Sequence, residues 1–321
     1  MSRIIVDFAK RILPAPLHGT ANHVRHWVRS RVRALQRLTA RPLTASDLAA
    51  DLRKAGVSAG DAVMVHSSLS QIGRVADGAD TVVQSLIDVI GPNGTVMMPC
   101  YNSAAEIEAA MREGRTVDLR SIKPNTGMVT DRFRQWPGVV RSSHPFSSVC
   151  AWGEQAEYVI ADHASHLRVC HKVSPIARQL ELNTTIIGLG VPISVGLAVA
   201  HYIEDTYDGF PFDVHAEPFE VTYIDAQGRS VTRDVARYDP VRSKTRIDHP
   251  EGAWILERFT DHFTRRGILH WFTYGRARAW TMNIRALHDE LMRLLDKGIT
   301  MYLTREEWTR MNDGDEGIEF M

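Results

Sequence analysis

Cysteine is scarce in this sequence of 321 residues, which contains Cys100, Cys150 and Cys170 and no others. No two of them form a CxxC pair, and an odd number of scattered cysteines is untypical of a disulfide framework. The sequence therefore favours a reducing compartment. It gives no reason to expect a cysteine-based metal site.

Long apolar runs and an excess of one charge are also missing. No stretch has the length needed to span a bilayer, and the N-terminus lacks the apolar segment and cleavage site of a signal peptide. Lysine plus arginine and aspartate plus glutamate both number 38, which gives no general reason to expect a nucleic-acid partner. With 44% hydrophobic and 24% charged residues, the composition is that of a globular protein, and we expect a cytoplasmic one.

The first 42 residues differ from the rest in charge. They hold nine lysines and arginines and three histidines against a single acid, Asp7. Apolar residues recur every three or four positions between Ala21 and Leu38, with arginines on another face, which predicts a basic amphipathic helix. Such an arm could bind anionic lipid or another subunit of a homo-oligomer, or it could pack as a solvated arm on its own domain. We expect residues 43–321 to form a single domain.

Buried strands alternate with helices early in this domain. Residues 62–66 and 94–99 are apolar runs bounded by turn residues, with an amphipathic helix predicted over 79–90 between them. A third strand, over 184–191, leads into another helix. This alternation predicts an α/β fold with a mixed, largely parallel central sheet flanked by helices.

Small hydroxyl residues follow the first strand, in the segment His66-Ser67-Ser68-Leu69-Ser70. Backbone N–H groups in such a loop, together with the start of the next helix, can bind phosphate. The segment is neither a Walker A loop nor a GxGxxG fingerprint. Serines are also common turn formers, so ligand binding and turn formation both remain open.

A second candidate, Ser143-His144, precedes Pro145. A residue before proline is pushed toward an extended conformation, so His144 is expected in a fixed loop. There it could take part in chemistry, or it could hold the loop by hydrogen bonds.

The third candidate is the pair His201 and Glu204, which lie on one face of the predicted helix. A carboxylate beside a histidine fixes its tautomer and stabilises the imidazolium, which suits the histidine to act as a base. A transferase that uses an amine as its nucleophile needs such a base and a negative site for the ammonium ion, to which Asp205 and Asp208 would add charge. An ion pair on the helix surface is the alternative. A zinc site is not predicted, because HxxE is not HExxH and no third ligand is evident.

Taken in order, these motifs resemble the aminoglycoside N3-acetyltransferase-like (antibiotic N-acetyltransferase) family over roughly residues 44–285. Each matching segment is short, and their order along the chain makes the resemblance specific. They are Val65-His66-Ser67-Ser68-Leu69-Ser70, Gly94-Thr95-Val96-Met97-Met98-Pro99, Arg141-Ser142-Ser143-His144-Pro145, Gly188-x-Gly190 and His201-x-x-Glu204. The resemblance implies the α/β fold of that family and an N-acyltransferase that uses acetyl-CoA and no metal.

The resemblance also implies roles for individual residues. His201 would be the base, Glu204 the carboxylate beside it, and His144 a support for the site near the thioester. The deprotonated amine would attack the thioester directly, without an acyl-enzyme, and hydroxyl or backbone donors would stabilise the oxyanion. The residues expected to bind coenzyme A are His66, Ser67, Ser68, Leu69 and Ser143.

The departures from the family pattern include the following two features. Members commonly have Thr-Ser-Leu before the His-x-x-Glu, whereas this chain has Ala198-Val199-Ala200, with Ser194 as the nearby hydroxyl. The basic arm over residues 1–42 is the other departure. Both favour an amino sugar or another biosynthetic amine over a native role in drug resistance.

Three hypotheses therefore remain from the sequence. The chain could be an acetyl-CoA-dependent N-acetyltransferase that acts on an aminoglycoside or amino sugar. It could instead use another acyl-CoA or a non-sugar amine, because the same residues would serve. The third hypothesis is a non-catalytic, membrane-associated binding protein in which the basic arm is the functional part.

Overall fold

The computed structural model describes residues 41–312. The basic arm predicted over residues 1–42 therefore lies outside the described residues, except for its last two positions. Within the described part, no helix is both long enough and apolar enough to cross a bilayer.

The described chain alternates strands and helices from its start. The strands are β1 (Ala62–Ser67), β2 (Thr95–Pro99), β3 (Val117–Asp118), β4 (Val140–Arg141), β5 (Val149–Gly153), β6 (Thr185–Leu189), β7 (Phe219–Ile224), β8 (Ser230–Val235), β9 (Leu269–Tyr274) and β10 (Ala277–Asn283). The α-helices are α1 (Ala45–Lys54), α2 (Leu69–Ile72), α3 (Ala79–Ile90), α4 (Ala104–Arg112), α5 (Met128–Phe133), α6 (Ala156–Ile160), α7 (Pro175–Glu181), α8 (Val199–Thr206), α9 (Leu256–Arg265), α10 (Ile284–Leu295) and α11 (Arg305–Asn312). Short 3₁₀ helices cover Ile193–Gly196, Arg242–Thr245 and Ala253–Ile255.

Local sequence signals explain where the first helix begins. The Thr44 hydroxyl accepts a hydrogen bond from the Asp47 backbone N–H at 3.2 Å, and the Asp47 carboxylate accepts one from the Thr44 N–H at 2.8 Å. This reciprocal capping box satisfies N–H groups that have no partner inside the helix. Helix α3 occupies the predicted residues, and its apolar face is buried.

The main sheet has seven strands in the order β4-β5-β2-β1-β6-β10-β9. Strand β1 pairs in parallel with β2 and β6, whereas the four outer pairings are antiparallel. The prediction of a mixed sheet flanked by helices is confirmed, but the expectation that the sheet is largely parallel is wrong, because two of its six strand pairings are parallel. Its parallel part is confined to the centre, because β9 and β10 form a hairpin and β5 returns beside β2 in the opposite direction.

Both faces of the main sheet are covered by helices. Side chains alternate along β1, so that Val63 and Val65 pack under α1, α3 and α5, while Met64 faces α6. Along β6, Ile186 faces α8, α9 and α10. A smaller sheet of order β3-β7-β8 packs with α4, and its strands β7 and β8 form an antiparallel hairpin.

One buried tryptophan connects the sheet to the segment that leads into α8. Trp280 on β10 lies beside Gly188 on β6, and its indole N–H donates to the Val191 carbonyl at 2.8 Å. Its ring also covers Gly196, where an added Cβ would lie 2.3 Å from the ring. The indole therefore holds the turn between β6 and α8 against the sheet.

We expect Gly188→Ala to destabilise the protein by about 3 kcal/mol, because the added Cβ would lie 2.0 Å from the fully buried Trp280 ring. Urea unfolding followed by circular dichroism measures this change. Gly60→Ala is the control, since its φ of +89° is strained but its Cβ would meet nothing within 4 Å, and we expect about 1 kcal/mol there. Equal unfolding midpoints for Gly188→Ala and the parent would contradict the packing argument.

Candidate active site

A cleft of about 350 Å³ opens where the parallel strands end. His66 and Ser67 close β1, Pro99 closes β2, and Val191 follows β6. The carboxyl ends of adjacent parallel strands meet at one edge of a sheet, which is where α/β proteins commonly bind ligands. The opposite wall comes from the 3₁₀ turn and the start of α8, including Ser194, Ala198 and His201.

The histidine and carboxylate predicted as a pair are hydrogen-bonded on α8. Nδ1 of His201 lies 2.6 Å from Oε2 of Glu204. The His201 side chain is 22% exposed and lines the cleft, whereas the Glu204 side chain is 1% exposed. With Nδ1 donating to the carboxylate, Nε2 is the ring atom left for a substrate. Because its carboxylate is buried, the pair is not an ion pair on the helix surface.

The buried carboxylate of Glu204 has two further polar neighbours. Nε of Arg246 lies 3.7 Å from its Oε1, and the Tyr302 hydroxyl donates to its Oε2 at 3.4 Å. Burial acts to raise the pKa of Glu204, but the charges of His201 and Arg246 and the bonds from His201 and Tyr302 outweigh it and lower that pKa. Glu204 is therefore an anion at neutral pH.

An aromatic ring supports His201 from the side. The Tyr238 and His201 ring centroids are 4.1 Å apart, and burial raises the pKa of Tyr238 well above its usual value. The Tyr238 hydroxyl donates to Asp205 at 3.4 Å. A neutral ring of this kind restricts the imidazole orientation without adding charge to the cleft.

The structure does not bring Asp205 to the cleft. Its side chain has no exposed surface, its Oδ2 accepts the Cys170 backbone N–H at 3.0 Å, and its Oδ1 lies 3.1 Å from Nε2 of His215. Asp205 thus accepts a hydrogen bond from Tyr238 and has no exposed side-chain surface with which to contact a substrate. Asp208 is exposed in the turn after α8 and is not among the described residues that line the cleft.

Of the five residues expected to bind coenzyme A, His66 and Ser67 line the cleft. Burial lowers the pKa of His66 to about 4, so this histidine is neutral at pH 7. The Ser67 hydroxyl oxygen is buried and has no hydrogen-bond partner within residues 41–312. Ser68 donates its backbone N–H to the Leu189 carbonyl at 2.9 Å, and Leu69 begins α2.

The Ser143-His144 segment lies away from this cleft. His144 is buried, and its Nδ1 accepts the backbone N–H groups of Phe146 at 3.3 Å and Ser147 at 3.2 Å. Burial, with the charges of Arg233 and His171, lowers its pKa to about 3. His144 therefore holds its own loop, as the second alternative proposed. Ser143 lines another cleft of about 410 Å³ and donates to the Gln227 side chain at 2.7 Å.

Several residues that line the cleft were not predicted from the sequence. Tyr101 and Asn125 follow β2 and precede α5, and Arg246 and Asp248 come from an irregular segment far beyond α8. The position of Tyr101 just after a parallel strand is a signal that could have identified it. Arg246 and Asp248 carry no such signal, because no regular pattern surrounds them.

Comparison with known proteins gives one family. The family model described as Aminoglycoside 3-N-acetyltransferase matches residues 64–296. The chain is 32% identical over 181 residues to aminoglycoside N(3)-acetyltransferase IX of Micromonospora chalcea, covering 52% of this chain and 63% of that protein. It is 35% identical over 179 residues to aminoglycoside N(3)-acetyltransferase VIII of Streptomyces fradiae, covering 51% and 61%. Each match spans less than two thirds of the relative's length.

Solved structures agree with the fold. AAC-IIIb in its binary complex with CoASH superposes with a TM-score of 0.69 and 26% identity, covering 81% of this chain and 98% of that one. Aminoglycoside acetyltransferase AAC(3)-Xa gives a TM-score of 0.67 and 26% identity, covering 80% and 93%. The predicted α/β architecture is therefore confirmed.

The neutral state of His66 predicts a pH dependence of stability. Its pKa is about 4 in the folded chain against an ordinary value of 6.5, so between these values the unfolded chain binds more protons and stability falls as the pH falls. From pH 7 to pH 4.5 the free energy of unfolding of the parent should fall by about 2 kcal/mol more than that of His66→Gln. Urea unfolding at both pH values measures this difference. His270→Gln, at an exposed position, should follow the parent, and an identical pH dependence in His66→Gln would contradict the assignment.

Proposed function

The chain belongs to the aminoglycoside 3-N-acetyltransferase family, and from this we propose that it transfers the acetyl group of acetyl-CoA to the amine of an aminoglycoside or amino sugar. The observation that carries the proposal is the His201–Glu204 pair, with the imidazole in the cleft and the carboxylate buried behind it. A related protein whose structure contains CoASH and the named activity of the curated relatives support the choice of donor and acceptor.

The geometry supports direct attack on the thioester. Nε2 of His201 removes a proton from the acceptor nitrogen, and the Glu204 carboxylate stabilises the imidazolium that forms. An acceptor that arrives as an ammonium ion loses its second proton to solvent. The nitrogen forms a bond to the acetyl carbon, the carbon–sulfur bond breaks, and the thiolate of coenzyme A takes the proton from His201. The acetyl group thus passes from sulfur to nitrogen without a bond to the protein.

The strand side of the cleft fits the thioester end of the donor. Ser67 has a buried hydroxyl that can donate to a carbonyl oxygen, and His66 beside it adds no charge. Ser68 and Leu69 follow Ser67 in the chain and remain proposed contacts of acetyl-CoA. Ser143, which lines the separate cleft of about 410 Å³, also remains a proposed contact. We propose that His144 supports the site indirectly, by holding its own loop in place through the hydrogen bonds that its Nδ1 accepts.

The remaining hypotheses from the sequence differ in what they require of this cleft. Another acyl-CoA or a non-sugar amine would use the same base, so an amine and acyl-CoA panel distinguishes them. A non-catalytic protein has no need for a histidine that faces a cleft and is backed by a buried anion. This arrangement favours the enzyme.

The test of the function is His201→Ala. We expect turnover to fall by at least about a hundredfold, because a general base is removed. Thiol release from acetyl-CoA, measured with sisomicin, apramycin and glucosamine as acceptors, reports the rate. His270→Ala, an exposed histidine on β9, should retain the parent rate. Near-normal turnover in His201→Ala would remove the basis of the proposal, and a covalent acetyl-enzyme seen by mass spectrometry would exclude direct attack.

Ser67→Ala tests the donor side of the cleft. Losing one hydrogen-bond donor to the thioester should lower kcat/KM for acetyl-CoA by about three- to tenfold and leave the KM of the amine unchanged. Steady-state kinetics with acetyl-CoA varied at a saturating amine concentration measures this effect. Ser58→Ala is the control, since Ser58 is exposed and lies before β1, away from the cleft. An unchanged kcat/KM in Ser67→Ala would argue against a donor contact.

A further inference from the structure

A line of four charged or titratable side chains runs from the base to the rim of the cleft. Beyond the His201–Glu204 bond, Oε1 of Glu204 lies 3.7 Å from Nε of Arg246, and Nη1 of Arg246 lies 2.7 Å from Oδ1 of Asp248. Exposure rises toward the far end, from 1% for Glu204 and 5% for Arg246 to 37% for Asp248. A ligand in the cleft can therefore reach Asp248 but not Glu204.

Arg246 is fixed between the two carboxylates. Its Nε is buried without a hydrogen-bond partner in the described chain, and its guanidinium lies 5.9 Å from the centre of the Tyr302 ring. Fully buried Ile247 holds the backbone beside it by donating its N–H to the Met301 carbonyl at 2.9 Å. One cation thus compensates a buried anion and orients a second anion at the rim.

Asp248 is the one carboxylate among the cleft-lining residues of the described chain. Arg246 occupies its Oδ1, and 37% of the Asp248 side chain is exposed and open to a ligand. An amine reaches the enzyme as an ammonium ion, for which a carboxylate is the natural partner. The neutral Tyr101, Asn125 and Ser194 in the same lining suit the hydroxyl groups of a sugar ring.

We propose that Asp248 binds the ammonium group of the acceptor and that Arg246 is the positioning residue that orients Asp248 and Glu204. This inference rests on the proposed acetyl transfer. It assigns acceptor recognition to Asp248 in place of Asp205 and Asp208, the carboxylates adjacent to the base in sequence. Asp248 would present the acceptor nitrogen, still protonated on arrival, to the cleft that contains His201.

Asp248→Asn tests recognition, since asparagine retains the size of the side chain and a carbonyl oxygen for Arg246 but removes the charge. We expect the KM of the amine to rise on the order of 10- to 100-fold, with kcat and the KM of acetyl-CoA within about twofold of the parent. The acceptors are glucosamine, sisomicin and apramycin. Asp88→Asn, an exposed aspartate on α3, is the matched control and should match the parent. Asp248→Glu, which retains the charge, should recover most of the affinity.

Arg246→Lys and Arg246→Met test positioning. The lysine variant retains a cation, so we expect its kcat/KM to be at least about tenfold higher than that of the methionine variant. Thermal melting of both variants checks that they are folded. Two results would overturn the inference. One is a lowered kcat with an unchanged amine KM in Asp248→Asn. The other is an amine KM that increases in Asp208→Asn but not in Asp248→Asn. Retained turnover in His201→Ala would instead remove the proposed function, so the two failures are distinguishable.

Discussion

The buried charge of Glu204 constrains the whole candidate site. A carboxylate removed from water is tolerated when opposite charge and hydrogen-bond donors surround it. Here the compensating groups come from three separate parts of the chain: His201 on the same helix, Arg246 in an irregular segment, and Tyr302 before α11. Each of these segments must be correctly placed before the carboxylate can be buried. The same requirement fixes the imidazole orientation that acetyl transfer would use.

Two histidines face the same cleft in different electrostatic environments. His66 lies at the end of β1, where burial favours its neutral form and lowers its pKa to about 4. His201 is hydrogen-bonded through Nδ1 to the buried carboxylate of Glu204. In the proposed transfer, His201 is therefore the base, and His66 is an uncharged side chain beside the proposed thioester position. Residue type alone does not make this distinction.

Local patterns predicted the parts of the structure that local interactions determine. The helix over 79–90, the central strands and the pairing of His201 with Glu204 all follow from spacing within a few residues. Asp205 illustrates the limit of such reasoning: it follows Glu204 directly, but consecutive residues on an α-helix point about 100° apart. Its side chain is consequently buried beside Cys170. The antiparallel outer strands and the Arg246–Asp248 contribution depend on long-range packing, which no short spacing encodes.

The Thr-Ser-Leu motif common in the family is replaced by Ala198-Val199-Ala200 before His201, and the replacement has different consequences at the three positions. Val199 and Ala200 are buried in the core between α8 and the helices around it, so side chains there contribute to packing. Ala198 alone of the three lines the cleft, so a hydroxyl at that position would have faced the cleft. The hydroxyls of Ser67 and Ser194 are on the walls that remain, and that of Ser67 is buried without a partner. In the proposed acetyl transfer, the donor that stabilises a developing oxyanion would therefore come from the end of β1 and not from the start of α8.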